Sequence, residues 1–299
     1  ARYPLVFARV LRVLDWAKWP ADYLMRHPVV LDELLDGQLL DNTDYADWSR
    51  QLQERIVAAR LGDAPDVELQ MDLVREAHHA QVFRLMVQDL EGRHTTERIS
   101  DFLSELADRV LGLVIALVWS QLRQRYCDPP RFAAIAYGRL GGKELGYASD
   151  LDLVFVHDDA GHGGEHERSA EVYAKLAQRV LAWLTSHTSA GRLFEVDMRL
   201  RPSGNKGPVA VSFTAFRRYQ IMAWLVGTFL ALLSLIALPL KYLADYRIPG
   251  YGLAWQLHGF LYMAYLLATA VQSFVVVGAC LLPALRAARV DPLAALRSE

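Results

Sequence analysis

The spacing of apolar residues divides the chain into a helical first part, a mixed second part and an apolar last part. Residues 1–126 are predicted to be helical, most clearly over Ser100–Tyr126, where apolar residues recur mostly at steps of three and four and form one stripe. The middle of this helix, Leu111–Trp119, is apolar all round. It is shorter than the ~20 residues that a bilayer span requires, so the pattern predicts a buried core helix.

Beyond the first part the period of the pattern changes. The apolar run Phe132–Tyr137 predicts a buried strand, and the glycine-rich segment Gly138–Lys143 predicts a turn. The segment Asp150–His157 starts as a strict alternation and predicts a second strand. Ser169–His187 predicts an amphipathic helix, and the alternation of Leu193–Arg201 predicts a third strand. This order predicts an α+β fold with a mixed β-sheet behind a helical N-terminal domain.

The composition changes again at Gln220. Neither Ile221–Leu238 nor Leu253–Leu282 contains Asp, Glu, Lys or Arg, and both are long enough to cross a bilayer. Together with the basic amphipathic tail, this predicts four regions: a helical domain at 1–128, a catalytic core at 129–220, a membrane hairpin at 221–282 and a tail at 283–299. Lys and Arg are concentrated outside the hairpin, so we expect both ends in the cytoplasm and a tether to the inner membrane.

Aspartates on the predicted strands are the candidate catalytic residues. Asp150 and Asp152 are two positions apart on one strand and share a face, and such close like charges are unfavourable unless a cation lies between them. Carboxylate oxygens suit Mg²⁺. Asp197, on the polar face of another strand, is the candidate third ligand. Three carboxylates can hold two metal ions, which would activate an attacking oxygen and stabilise a leaving pyrophosphate.

The turn before the aspartates supplies candidate phosphate-binding groups. Gly141 and Gly142 let the backbone approach a triphosphate, with their N–H groups directed at it, and Ser149 adds a hydrogen-bond donor. The candidate counter-charges for the phosphates are Lys143, Arg199 and Arg201.

Each of these features also has an ordinary explanation. Asp-x-Asp on a strand is more often a solvated edge than a metal site, Gly-Gly is usually only a turn, and Arg199 and Arg201 are compatible with surface cations. The order of the features along the chain favours a catalytic site. His78 and His79 lie on a polar helical stretch and are expected at the surface.

Two segments resemble the glutamine synthetase adenylyltransferase family. They run from Tyr137 to Phe155 (YGRLGGKELGYASDLDLVF) and from Phe194 to Gly204 (FEVDMRLRPSG), within a resemblance over about residues 4–220. The residues of these two segments are similar to those of the adenylylating half of the family. The resemblance implies Asp150, Asp152 and Asp197 as metal ligands, ATP and Mg²⁺, and AMP transfer to a tyrosine of glutamine synthetase, with PII-type signalling proteins as further partners.

The rest of the chain resembles other proteins. Residues 221–269 resemble a small bacterial family of integral membrane proteins of unknown function, and residues 271–299 resemble the C-terminus of a macrolide-export type ABC transporter permease. These resemblances indicate a chimera. They leave two alternatives to the enzyme: a non-enzymatic membrane protein with a relic soluble part, and a permease fragment. Because the family continues past residue 220 into a soluble helical region, we expect reduced or lost activity.

Charge and cysteine usage narrow the choice of partners and compartment. The net charge is −2, so no general polyanion-binding field is expected and nucleic acid is not a predicted partner. The two cysteines, Cys127 and Cys280, indicate no disulfide framework and fit a reducing compartment. The first residues contain no initiator Met and no signal-peptide pattern, so we expect a fragment that begins mid-protein.

Overall fold

The computed structural model describes residues 43–158 and 166–227, residue 229 and isolated positions among residues 8–41. The side chains of 166–168 are not described. The chain divides into two compact units, Ala1–Val211 and Ser212–Glu299.

Within residues 43–131, three helices precede the sheet. They are α1 (Tyr45–Ala58), α2 (Val67–Leu90) and α3 (Thr96–Ser120), and a short antiparallel hairpin of β1 (Arg60–Leu61) and β2 (Ala64–Pro65) joins the first two. Each helix begins where a side-chain oxygen accepts a hydrogen bond from a first-turn backbone N–H, which satisfies a donor that the helix itself leaves unpaired. The capping residues are Asp44, Asp66 and Thr95.

The second part contains a mixed sheet with β4 (Leu151–His157) at its centre. Strand β3 (Phe132–Ala136) pairs with β4 antiparallel, and β5 (Val196–Asp197) pairs with it parallel. Strand β6 (Ala210–Ser212) also pairs with β4. Between these strands lie the short helix α4 (Gly138–Gly141) and the long helix α5 (His166–Thr185). The predicted α+β architecture with a mixed sheet is confirmed.

One buried apolar cluster runs through the helices and the sheet. Aromatic rings join the two parts: Tyr173 of α5 stacks on Trp119 of α3 at 5.7 Å between ring centroids, and on Phe132 of β3 at 6.0 Å. Leu106 of α3 and Phe155 of β4 are fully buried in the same cluster. The helical part and the sheet therefore share their core, while the boundary at residues 128/129 stays a prediction.

Two predicted elements differ most from the observed ones in their bounds. The helix predicted over Ser100–Tyr126 is observed as α3, which starts earlier because Thr95 caps it and ends at Ser120. The third strand pairs only over Val196–Asp197, because the backbone N–H of Arg199 then donates to the Asp197 side chain instead of a neighbouring strand.

The paired histidines of α2 are buried, and their expected surface position is wrong. His78 and His79 are 8% and 5% exposed. Helix α2 has buried residues around most of its circumference, including Gln70, Arg75 and Gln88. Polar residues on this helix therefore bind backbone groups inside the protein, as Gln88 does with the carbonyl oxygens of residues 39 and 41.

The predicted membrane spans lie almost entirely outside the described residues. Of 221–238 and 253–282, the structure describes only 221–227 and 229, which are helical. No helix among the described residues has the length and apolar character needed to cross a membrane. In this short part of the second unit several large apolar side chains are exposed: Ile221, Met222, Leu225, Val226 and Phe229.

The shared core predicts that a cavity in α3 destabilises the helices and the sheet together. Leu106→Ala removes a fully buried side chain and should lower the free energy of unfolding by about 2–5 kcal/mol. Urea unfolding followed by circular dichroism measures it. The control is Leu61→Ala, at a side chain that is 75% exposed, which should change stability by less than about 0.5 kcal/mol. Equal effects of the two substitutions would contradict the shared core.

Candidate active site

Pairing between β4 and β5 brings two of the predicted aspartates together. The strands are parallel, and Asp152 lies directly opposite Asp197 in their register. Register partners on neighbouring strands project from the same face of a sheet. Asp150, one residue before β4, lies on the same side, because its charge acts on Asp152 and it lines a cleft with Asp197. All three predicted carboxylates are therefore neighbours at the end of the sheet where β4 begins.

The pKa of Asp152 reflects this crowding. Partial burial raises the pKa of Asp152 above the ordinary carboxyl value, and the negative charges of Asp150 and Asp197 raise it further. The positive charge of Arg199 acts in the opposite direction. A cation between the carboxylates would relieve the same repulsion, so the chemistry of this donor set fits a divalent metal.

Asp197 is held by its neighbour Arg199. Its Oδ1 accepts from the Arg199 backbone N–H at 2.8 Å, and its Oδ2 accepts from Arg199 Nε at 2.7 Å and also pairs with Nη2. These hydrogen bonds lower the pKa of Asp197. Within the described residues, no three His, Cys, Asp or Glu side chains are close enough to hold a metal ion as they stand. Asp197 would have to turn from Arg199 to become a third ligand.

Gly138 is the glycine that contacts the carboxylates, and the sequence interpretation missed it. Its φ is +53°, a left-handed conformation, and a Cβ placed there would lie 2.0 Å from Asp152 Oδ2. The next residue back, Tyr137, donates its backbone N–H to the Asp152 carbonyl at 2.8 Å. Only glycine leaves room for the Asp152 carboxylate at this turn. A glycine directly after a predicted strand was the available sequence signal.

Gly141 and Gly142 belong to a closed helical turn. Their N–H groups donate to the carbonyl oxygens of Tyr137 and Gly138, each at 3.0 Å. A Cβ at Gly141 would lie 2.6 Å from the Ala136 carbonyl oxygen, so this glycine permits close packing of α4 on β3. In the structure these N–H groups are used within the turn and are not directed at a ligand, and the predicted phosphate-binding role stays a prediction.

The other predicted phosphate-binding residues have different surroundings. Lys143 is exposed, and its charge acts on Asp108 of α3. Ser149 Oγ accepts from Gly146 N at 3.0 Å and from Arg139 Nη1 at 3.3 Å, which fixes the turn that leads into Asp150. Ser149 thus orients the aspartate segment, and its contact with a phosphate stays a prediction.

Two of the three carboxylates, Asp150 and Asp197, line a cleft of about 410 Å³. Arg201 lines it and donates from Nη1 to the Met198 carbonyl at 3.2 Å, which secures the turn after β5. Of the predicted residues, the cleft brings together Asp150, Asp197, Arg199 and Arg201. The other predicted residues do not line it: Asp152, Ser149, Lys143, Gly141 and Gly142. Glu195 and Asn205 also line it and were not predicted. The cleft thus combines carboxylates that can hold a cation with guanidinium groups that can bind phosphate.

Comparison with known proteins agrees with this geometry. Residues 7–224 match the family model described as glutamate-ammonia ligase adenylyltransferase. The chain belongs to this family. It is 53% identical over 222 residues to the bifunctional glutamine synthetase adenylyltransferase/adenylyl-removing enzyme of Ralstonia nicotianae, covering 74% of this chain and 22% of that protein.

Enzymes of the same name in two further bacteria are similar. Identity is 51% over 220 residues with that of Burkholderia mallei and 49% over 225 residues with that of Aromatoleum aromaticum. These matches cover 73% and 75% of this chain, and 23% of each relative. The chain thus spans less than a quarter of the length of the curated relatives it matches.

A second family model matches residues 216–276 and is described as a domain of unknown function (DUF3817). It overlaps the first match at residues 216–224. The overlap lies within the described helical residues 213–227, and nearly all of the remaining match lies outside the described residues. The sequence resemblance of 221–269 to a separate family thus coincides with a distinct family match.

The close contact at Gly138 predicts a sharp difference between two neighbouring glycines. Gly138→Ala should lower stability by about 1–2 kcal/mol through its left-handed backbone and should displace the Asp152 carboxylate, which weakens Mn²⁺ binding. Gly142→Ala is the matched control, because the nearest atom to its Cβ would be 3.4 Å away and its φ is −84°. Denaturation and Mn²⁺ titration measure both effects. Equal Mn²⁺ affinity in the two variants would show that Gly138 does not shape the site.

Proposed function

We propose that the chain transfers AMP from ATP to a tyrosine hydroxyl of glutamine synthetase. Membership of the adenylyltransferase family supports the reaction class, and the names of the relatives support glutamine synthetase as the acceptor. The observation that carries the proposal is the register pair of Asp152 and Asp197 on one face of the sheet, with Asp150 beside them.

The reaction balances without a further reactant. The tyrosine oxygen attacks the α-phosphorus of ATP and forms a new P–O bond, while the bond from that phosphorus to the bridging oxygen breaks. Pyrophosphate leaves with the electron pair of the broken bond, and the phenol proton passes to solvent water. Two Mg²⁺ ions held by Asp150, Asp152 and Asp197 would supply positive charge beside the attacking and leaving oxygens. The chain's own residues would bind these ions and orient the nucleotide.

Positive side chains at the cleft suit the nucleotide phosphates. Arg199 is exposed and lies beside all three carboxylates, whose charges raise the pKa of its guanidinium, Asp197 most strongly. Arg201 lines the same cleft and is fixed on the backbone of the turn 198–205. Planar guanidinium groups bind phosphate oxygens in pairs, which supports Arg199 and Arg201 as the groups that orient the triphosphate.

Labelled AMP transfer onto purified glutamine synthetase tests the proposal. Asp152→Asn should lower transfer by on the order of a hundredfold or more, because one ligand charge is lost. Asp158→Asn is the matched control: it lies just after the other end of the same strand, paired with Arg131 at 3.6 Å, and should transfer AMP at the original rate. Circular dichroism establishes that both variants are folded. Unchanged transfer by Asp152→Asn would overturn the metal assignment.

We also propose that residues 221–282 tether this catalytic part to the inner membrane with both termini in the cytoplasm. Support comes from the two uncharged runs, from the concentration of Lys and Arg outside them, and from the exposed apolar side chains at 221–229. A cytoplasmic site would also have access to ATP and glutamine synthetase. A non-enzymatic membrane protein and a permease fragment remain the alternatives, and a chain that binds membranes but transfers no AMP would favour them.

Cysteine labelling in intact cells tests the topology. In a chain whose Cys127 and Cys280 are replaced by Ser, Tyr251→Cys should react with an impermeant thiol reagent from the periplasmic side. Leu61→Cys, at an exposed site of the catalytic part, should react only after lysis. Labelling of Tyr251→Cys only after lysis, or recovery of the chain without detergent, would contradict the hairpin.

A further inference from the structure

Helix α2 presents a polar strip to the segment that leads into β5. Asp72, Arg75 and His79 are spaced by three and four residues and therefore share one face of the helix. All three bind the stretch 183–192, which comprises the end of α5 and the following turn. We call these three residues the α2 clasp.

Arg75 is the centre of the α2 clasp. Its side chain is completely buried, and three of its four hydrogen bonds reach the stretch 183–192. Nη2 donates to the carbonyl oxygens of Trp183 at 2.7 Å and Ser186 at 2.9 Å, and Nε donates to that of Gly191 at 2.9 Å. The last carbonyls of a helix have no partner within it, and a planar guanidinium can bind several at once.

The other two members hold the same stretch on either side of Arg75. Ser189 Oγ donates to Asp72 Oδ2 at 2.5 Å, and His79 Nε2 lies 3.2 Å from the Arg192 carbonyl oxygen. Just beyond, Phe194 packs against the ring of His78 at 4.7 Å between centroids. The backbone is thus fixed at successive positions up to the residue before Glu195.

Strand β5 needs such support because its own pairing is short. It has only two paired positions with β4, preceded by one hydrogen bond from Leu151 N to the Glu195 carbonyl at 2.9 Å. A segment with few contacts and few backbone hydrogen bonds has low local stability. With so few hydrogen bonds to β4, strand β5 would by itself be free to fray or shift. A shift of β5 would move Asp197 away from Asp152.

We infer that Arg75 is a positioning residue for the carboxylate site, acting through the turn 186–192 to hold Asp197 opposite Asp152. Its role at a metal site rests on the proposed function, whereas its hold on β5 does not. Arg75 touches none of the reacting groups that the proposed function places in the cleft. The geometry thus makes the helical part a component of the site, although none of its described residues lines the cleft.

The control lies one turn away on the same helix. Gln70 is also buried, at 3% exposure, and donates from Nε2 to the carbonyl oxygens of Ile56 and Ala59. It fixes a loop that does not lead to β5. Gln70→Met therefore removes a comparable buried contact of α2 without touching the α2 clasp, and Arg75→Lys keeps the charge but loses the planar fork.

Hydrogen exchange of the purified full chain in mild detergent measures the hold on β5. Arg75→Lys should speed amide exchange in residues 193–197 by about tenfold, and Gln70→Met should leave that segment unchanged. Ser189→Ala removes only an exposed hydroxyl and should give a smaller increase in the same segment, so the test survives if Arg75→Lys does not fold. Unchanged exchange at 193–197 in Arg75→Lys and Ser189→Ala, or equal acceleration in Gln70→Met, would overturn the inference.

A titration with Mn²⁺ measures the effect of Arg75 on metal affinity at the carboxylate site. The spectroscopic signal of the unbound ion gives the fraction of Mn²⁺ that is bound. Arg75→Lys should weaken binding by about tenfold, as loss of supporting contacts behind metal ligands does, while Gln70→Met should bind as the original chain. Unchanged affinity in Arg75→Lys would refute the positioning role with the proposed function intact. If the original chain binds no Mn²⁺, the proposed metal site fails, and the exchange measurement still decides whether Arg75 holds β5.

Discussion

Repulsion among three carboxylates at the end of the sheet where β4 begins is the constraint on which the rest of the site depends. Asp152 and Asp197 are opposite each other on parallel strands, and Asp150 is beside them. The arrangement is tolerable only with positive charge close by. In the structure Arg199 supplies it, through its hydrogen bonds to Asp197. A divalent cation would serve the same purpose, which connects the electrostatics of the folded chain to the chemistry of its family.

Holding these carboxylates together requires more than the sheet. Strand β5 is short, and a polar face of α2 binds the segment before it. Gly138 provides the space that the Asp152 carboxylate occupies. The apolar core continues from α3 through α5 to β4 without interruption. The helical part is thus structurally continuous with the sheet that carries the aspartates.

Local patterns in the sequence predicted most of the fold around the site. The alternation that starts Asp150–His157 and the periodicity of Ser169–His187 correspond to β4 and α5. Helix α5 buries one regular face, whereas β4 is buried on both faces beyond Asp152. The contribution of α2 could not be predicted in this way. Arg75 and His79 of this helix bind backbone carbonyls more than a hundred residues away, and no local period encodes such contacts. For the same reason His78 and His79 were expected at the surface.

The sequence predicted that the three aspartates lie together and described their surroundings less well, and their role as metal ligands stays a prediction. The two-residue spacing of Asp150 and Asp152 placed them together, and strand pairing added Asp197. The glycine signal was assigned to Gly141 and Gly142, whose N–H groups close a helical turn, whereas Gly138 makes the contact with Asp152. Sequence spacing identifies a turn, but only the backbone conformation shows which of its glycines faces the site.

Anomalous X-ray diffraction from crystals grown with Mn²⁺ and a non-hydrolysable ATP analogue would test the central claim most directly. We expect anomalous peaks about 2.0–2.2 Å from carboxylate oxygens of Asp150, Asp152 and Asp197, close to the phosphates, with Asp197 released from Arg199. Peaks elsewhere on the chain, or a nucleotide bound while Asp197 remains paired with Arg199 and no ion contacts Asp152, would contradict it.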